Sequence, residues 1–90
     1  MIWNESENRI EASDEAGKVL AFVEFPGGET VTVTRTFTDE SLRGQGVAGK
    51  MMLMLHDKLK REDRKAVLLC SYAVKWYESH PEYGDVLRRK

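Results

Sequence analysis

The segment Leu42-Arg43-Gly44-Gln45-Gly46-Val47-Ala48-Gly49-Lys50-Met51 decides how the rest of this chain reads. Upstream of it, residues 30–38 alternate strictly, with Val31, Val33, Arg35 and Phe37 on one side and Thr30, Thr32, Thr34, Thr36 and Thr38 on the other. A period of two is the signature of a strand. Downstream, Ala48, Met52, Leu55 and Leu59 recur at i, i+4, i+7 and i+11, which places them on one face of a helix over residues 46–62. A glycine-bearing loop at residues 39–46 therefore joins the carboxyl end of a strand to the amino end of a helix. Free backbone N–H groups and the helix dipole favour anions at such a junction.

Working outward, residues 66–70 form an apolar run too short for a helix, hence a buried strand. A strand, a helix and a second strand in that order predict a crossover in which residues 66–70 run parallel to residues 30–38. Residues 73–80 read as a second helix stopped by Pro81. On the amino-terminal side, residues 8–14 and 19–25 flank the turn signal Glu15-Ala16-Gly17-Lys18, a hairpin. The expected order is βββαβα, an α+β fold of α/β-like character with a mixed sheet and a βαβ core.

The decisive loop satisfies three patterns that mechanism separates. Gly44, Gly46 and Gly49 spell G-x-G-x-x-G, but a dinucleotide fold requires two βαβ halves and an acidic residue where this chain has Cys70. Gly44, Gly49 and Lys50 approach the phosphate-loop pattern, but Met51 stands where a hydroxyl must hold magnesium. The third pattern, R/Q-x-x-G-x-G/A, is met by Arg43, Gly46 and Ala48 in the strand-loop-helix context it needs. Glycines let backbone approach an anion closely, and Ala48 keeps the first helical turn thin.

This third pattern resembles the pyrophosphate-binding motif of the GNAT superfamily of N-acetyltransferases. Past the loop, Cys70, Ala73 and Tyr77 fall on the family's N-x-x-A-x-x-x-Y spacing, with cysteine in place of asparagine. Small single-domain GNAT-like proteins look closer still, through their L-R-G-x-G-[VIA]-A loop, strand-ending cysteine and H-P-E-[YF] segment, here His80, Pro81, Glu82 and Tyr83. The resemblance implies a GNAT-type fold over residues 1–90 with a coenzyme A-binding βαβ core. It implies acetyl-CoA as cosubstrate, held by Phe37, Thr38, Arg43, Gly44, Gln45, Gly46, Val47 and Ala48, the first two through backbone. It also implies transfer of the acetyl group to an amine acceptor of unknown identity, by direct attack, with Tyr77 as general acid beside the sulfur. Cys70 sits at the same place, as pocket wall or as nucleophile, with Lys75 the nearest cation in sequence. Glu24, Glu29 and Glu40 are the candidate bases. The family's acceptor-groove helices and further carboxyl-terminal strands are missing, so a coenzyme A or acyl-CoA binding module with little turnover is the alternative.

Composition narrows the remaining classes. Ninety residues with 14 Lys+Arg against 15 Asp+Glu and 41% hydrophobic residues suit one ordinary globular domain, too small for a multidomain enzyme. Residues 1–30 hold seven acids and two bases, whereas residues 31–90 hold eight acids and twelve bases, so an anionic ligand is expected on the second half. The basic residues between Lys58 and Lys65 alternate with Asp57, Glu62 and Asp63 and lack interleaved aromatics, which argues against nucleic acid. No apolar run approaches a membrane span, and Met1 to Asn8 carry two acids and no base, unlike a signal peptide, so a cytoplasmic location is expected. One cysteine with two histidines gives no zinc spacing, and no metal is expected. His56 and His80 read as a helix surface and a helix end, and Met51, Met52 and Met54 as core filling.

Overall fold

A computed structural model describes residues 1–88. Strands β1 (Ile2–Ser6), β2 (Arg9–Ser13) and β3 (Val19–Glu24) form an antiparallel meander. Strand β5 (Arg35–Thr38) adds to β3, giving a four-stranded sheet in the order β1-β2-β3-β5. Strand β4 (Thr30–Val33) pairs in parallel with β6 (Lys65–Leu68), as the crossover predicted. Helix α1 (Val47–Arg61) connects β5 to β6, helix α2 (Ser71–Ser79) follows, and a 3-10 turn spans Pro81–Val86.

The expected hairpin is β2–β3. Its turn is held by the Asp14 carboxylate, which accepts from the N–H groups of Ala16 and Lys18, both at 2.9 Å. Strand β1 escaped sequence reading because only Trp3 is half-buried in it and its other side chains are exposed, so there is no alternation to see.

Residues 30–38 are not one uniform strand. Val31 and Val33 are fully buried, yet Arg35 and Phe37, expected on the same face, are exposed. Thr32 and Thr34 donate to the carbonyls of Pro26 and Glu24, but one residue later Arg35 itself stands opposite Glu24. That one-residue slip is a bulge, and with a side-chain period of two it moves every following side chain to the other face. Thr36 and Thr38 consequently take over the inward face that the valines occupy in β4.

Helix α1 packs Val47, Met51, Met52, Leu55 and Leu59 onto the sheet, against Ile10, Ala12, Ala21, Val23, Phe25, Val31 and Val33. Each large apolar side chain removed from water contributes about 1.5 to 3 kcal/mol, which fixes the helix's rotation. Ala48, expected on that stripe, is only partly buried, leaving its side toward the loop open. The helix ends with Lys58, Lys60 and Arg61 in its last turn, where cations offset the dipole. Arg64, 8% exposed, donates to the carbonyls of Glu7 and Gly28 and thereby ties this end to the β1–β2 turn.

Candidate active site

The parallel ladder stops abruptly at the end of β4. The N–H groups of both Leu69 and Cys70 converge on the Val33 carbonyl, at 3.0 and 2.9 Å, and beyond it β5 and the start of α2 part. The gap becomes an open cleft of about 430 Å³. Thr36 and Thr38 form one wall, Tyr72 of α2 another, and the 42–49 segment the floor. A volume of this order suits a small-molecule arm rather than a single ion.

The floor is built for an anion. Gly44 and Gly46 both hold left-handed backbone, at φ 81° and 74°, a region costly for any residue with a Cβ. Gly46 caps α1 without any side-chain hydrogen bond. Among the described residues, no acceptor meets the N–H groups of Gly44, Gly46, Val47, Ala48 or Gly49. Five such donors, four of them at the positive end of a fifteen-residue helix, make a nest for phosphate oxygens. Arg43 lines the same cleft with its side chain exposed.

The sequence-derived set divides on inspection. Thr38, Arg43, Gly44, Gly46, Val47 and Ala48 line the cleft. Gln45 does not: its N–H bonds to the Leu42 carbonyl and its side-chain amide donates to the Ser41 carbonyl, so it shapes the loop from behind. Phe37 points its ring away from the cleft and stacks on Phe22 at 5.6 Å. Thr36 and Tyr72 line the cleft without having been singled out, as do Leu42 and Gly49, which the motifs contain but which were not assigned to the coenzyme. Thr36 could have been found only by seeing the bulge, and Tyr72 only by knowing that α2 begins at Ser71.

Cys70 stands at the N-cap of α2, half-buried, with its Sγ 3.3 Å from Thr36 Oγ1. Burial pushes its thiol up, but the Thr36 hydroxyl and the N–H groups of Ala73, Tyr72 and Thr36 outweigh that and bring it below the usual thiol range. Tyr77 lies two turns further along α2, 3% exposed, with its ring edge-on to Trp76. Its hydroxyl is fully buried and has no hydrogen-bond partner among the described residues. Burial, with the nearby Asp85 carboxylate, pushes this phenol up to about 12. Neither Cys70 nor Tyr77 lines the open part of the cleft.

The three candidate bases lie outside it. Glu24 is gripped by Arg9 at 2.7 Å and by Arg35 at 3.7 Å. Glu29 lines a separate concavity with Glu7, Glu62 and Arg64, and Glu40 is exposed on a 3-10 turn. Among the described residues no group of three His, Cys, Asp or Glu side chains could hold a metal ion, and no helix is long and apolar enough to cross a membrane.

The fold is shared with known proteins. A GCN5-like candidate N-acetyltransferase from Staphylococcus aureus superposes with a TM-score of 0.79 at 22% identity, over 99% of this chain and 89% of its own. The ribosomal-protein-S18-alanine N-acetyltransferase of Escherichia coli gives 0.64 at 23% identity, over 84% of this chain and 54% of its own. A candidate acetyltransferase from Clostridium acetobutylicum, solved with acetyl-CoA, gives 0.59 at 19% identity, over 80% and 55%. This chain thus spans about half the length of the latter two. Among curated proteins none matches it in sequence. The family described as GCN5-related N-acetyl-transferase matches residues 9–86. With that match over nearly the whole chain, and the same fold in the solved structures, the chain belongs to the GCN5-related N-acetyl-transferase family.

Proposed function

We propose that this protein transfers the acetyl group of acetyl-CoA to an amine. The observation that carries the reading is the cluster of five acceptor-less N–H groups on the floor of a cleft that opens where two strands part. These donors and Arg43 would bind the coenzyme's pyrophosphate, and its pantetheine arm would run between β5 and Tyr72, along the backbone of Phe37 and Thr38. The orphaned Tyr77 hydroxyl fits a site completed by substrate, because burying a hydroxyl without a partner costs about 1 to 3 kcal/mol in the free protein.

In the reaction a neutral amine attacks the thioester carbonyl, the C–N bond forms, the C–S bond breaks and the thiolate departs. Tyr77, whose hydroxyl is buried in the free protein, donates a hydrogen bond to that sulfur once the bound arm has displaced the groups that cover it. A phenol near 12 beside a thiol of ordinary value near ~8.5 cannot hand over its proton cheaply, so Tyr77 stabilises the thiolate and solvent supplies the proton. Among the described residues no carboxylate lines the cleft, so the amine also loses its proton to solvent. Cys70 shapes the pocket through its contact with Thr36.

Titration with acetyl-CoA, CoA and ATP, followed by chemical shifts of Thr36, Thr38 and Tyr72, tests the binding step. The CoA species alone are expected to act. Gly46→Glu adds a like charge where a Cβ would meet open space, and its left-handed φ makes it cost about 1 to 2 kcal/mol in folding. The variant should stay folded by circular dichroism and lose CoA binding. Unchanged affinity would defeat the assignment.

A further inference from the structure

The helices cover one side of the sheet only. Ala73, Trp76, Tyr77 and Val86 belong to the same buried cluster as Leu55 and Leu59, so α1, α2 and the 3-10 turn share a face. The molecule measures 19 Å along its shortest axis, the depth of one sheet and one helical layer. The opposite, bare side carries an apolar strip beside the place where β5 and α2 part. On β6, Ala66 is buried whereas Val67 and Leu69 are 40% and 71% exposed, and on β5 Phe37 is 42% exposed. The strip adjoins the end of the cleft through the strands themselves. Arg35 and Phe37 alternate with Thr36, and Leu69 precedes Cys70, whose Sγ lies 3.3 Å from Thr36 Oγ1. The charges around the strip are unbalanced. Arg9 holds Glu11 at 2.8 Å and Glu24 at 2.7 Å, which engages both carboxylates on the β2–β3 part of this side. Arg35 keeps only a 3.7 Å approach to Glu24, and its side chain is 70% exposed. Arg88 donates to Thr30 Oγ1 at 3.1 Å, on the side opposite buried Val31.

We propose that the acceptor is a polypeptide segment with apolar and acidic side chains beside its free amine, docked on this bare side, an inference that rests on the acetyl-transfer reading of the cleft. With the coenzyme arm filling the space between β5 and Tyr72, the amine's open approach is through the parting of the strands. A small amine calls for a concavity. Arg35, Phe37, Val67 and Leu69 line neither the cleft nor the hollows around Glu29 and Trp76, so the strip is flat. A flat apolar strip with a polar rim suits a polypeptide, which spreads its contacts over several side chains. Arg35 selects the charge of that segment. A carboxylate beside it completes an ion pair, whereas a segment rich in lysine or arginine meets Arg35 and Arg9 with like charge. Leu69, the most exposed large apolar side chain, has the most surface to bury under such a segment.

Two short peptides with free amino termini test this, one of alternating Glu and Leu and one with each Glu replaced by Arg, with acetylation followed by mass spectrometry. The Glu peptide should be acetylated with a kcat/KM about tenfold or more above that of the Arg peptide. Arg35→Glu should reverse that order. Leu69→Ser should raise KM for the Glu peptide about tenfold with kcat held, and CoA should bind both variants as it binds the unaltered protein. Both side chains are exposed, so both variants should fold, which circular dichroism checks. Equal use of the two peptides, or a KM indifferent to Leu69→Ser, overturns the proposal. Sedimentation that shows a dimer dissociated by Leu69→Ser also overturns it, since the face would then belong to a second copy. If benzylamine is acetylated and neither peptide is, the proposal fails alone. If CoA binds and no amine is acetylated, the transfer reading fails and takes the docking face with it.

Discussion

Replacing Tyr77 by phenylalanine should make the free protein more stable and the enzyme slower. The hydroxyl is buried without a partner, and deleting it relieves a desolvation cost of about 1 to 3 kcal/mol. The ring that meets Trp76 at 5.0 Å is retained, so no packing is lost. For a domain of this size the melting temperature should rise by about 4 to 8 °C for each kcal/mol. In turnover the variant forgoes a hydrogen bond to a departing thiolate. Bonds to charged groups contribute about 1.5 to 3 kcal/mol, so kcat should fall roughly 10- to 150-fold. KM for acetyl-CoA should hardly move, because the thioester sulfur in the ground state is a poor acceptor. Thermal melts and thiol release against a panel of primary amines measure both effects. An unchanged or lower melting temperature would show that the hydroxyl is satisfied in the free protein. An unchanged kcat would remove Tyr77 from the reaction.

Arg43→Ala should weaken CoA by about 1 to 3 kcal/mol and affect pantetheine far less, as measured by calorimetry; equal losses would reduce Arg43 to a loop support. Cys70→Ala should keep most activity, and acetyl-CoA should leave no stoichiometric adduct by intact mass. An adduct absent from Cys70→Ser and discharged by an amine would establish a two-step route through the thiolate. The Asp85 carboxylate is held far below its usual range by hydrogen bonds from Lys60 and His56. A depressed carboxylate stabilises the fold above its unfolded value near ~3.9 and loses that contribution as pH falls below it toward the folded value. Asp85→Asn should thus lower the melting temperature at pH 7 and flatten its decline below about pH 4. An acid limb of unaltered slope would place the acid sensitivity elsewhere.

The loop and its flanking elements were legible because their physics is local. Glycine spacing, the helical stripe of Met52, Leu55 and Leu59, and the stop at Pro81 each depend on neighbours within a few residues. The end of β5 was not legible, since whether Thr36 or Phe37 faces inward depends on pairing with Val23 and Phe22 of β3, far away in sequence. Strand β1 was hidden for a related reason. As a sheet edge it gains its place from backbone pairing with β2, and its exposed side chains carry no pattern. Tyr77 shows the opposite case. Its spacing from Ala73 was visible, but that its hydroxyl would be buried and orphaned follows only from how α2 packs.

The bulge near Thr34 links these levels, because both faces of the sheet help to hold it. Inside, Val31 and Val33 fill the core. Outside, the slip delivers Phe37 onto Phe22 at 5.6 Å and Arg35 toward the Phe22 ring and Glu24. Arg9 covers the same ring at 4.2 Å, so the exposed aromatic pair is shielded by cations rather than left bare. Had the alternation of residues 30–38 run unbroken, Phe37 would point into the cleft and fill the space between β5 and Tyr72. The slip instead presents Thr36 and Thr38, whose smaller side chains leave the strand's backbone open to an extended arm. The cleft therefore exists because one residue of strand was given up, and the aromatic platform on the far side is what makes that loss tolerable.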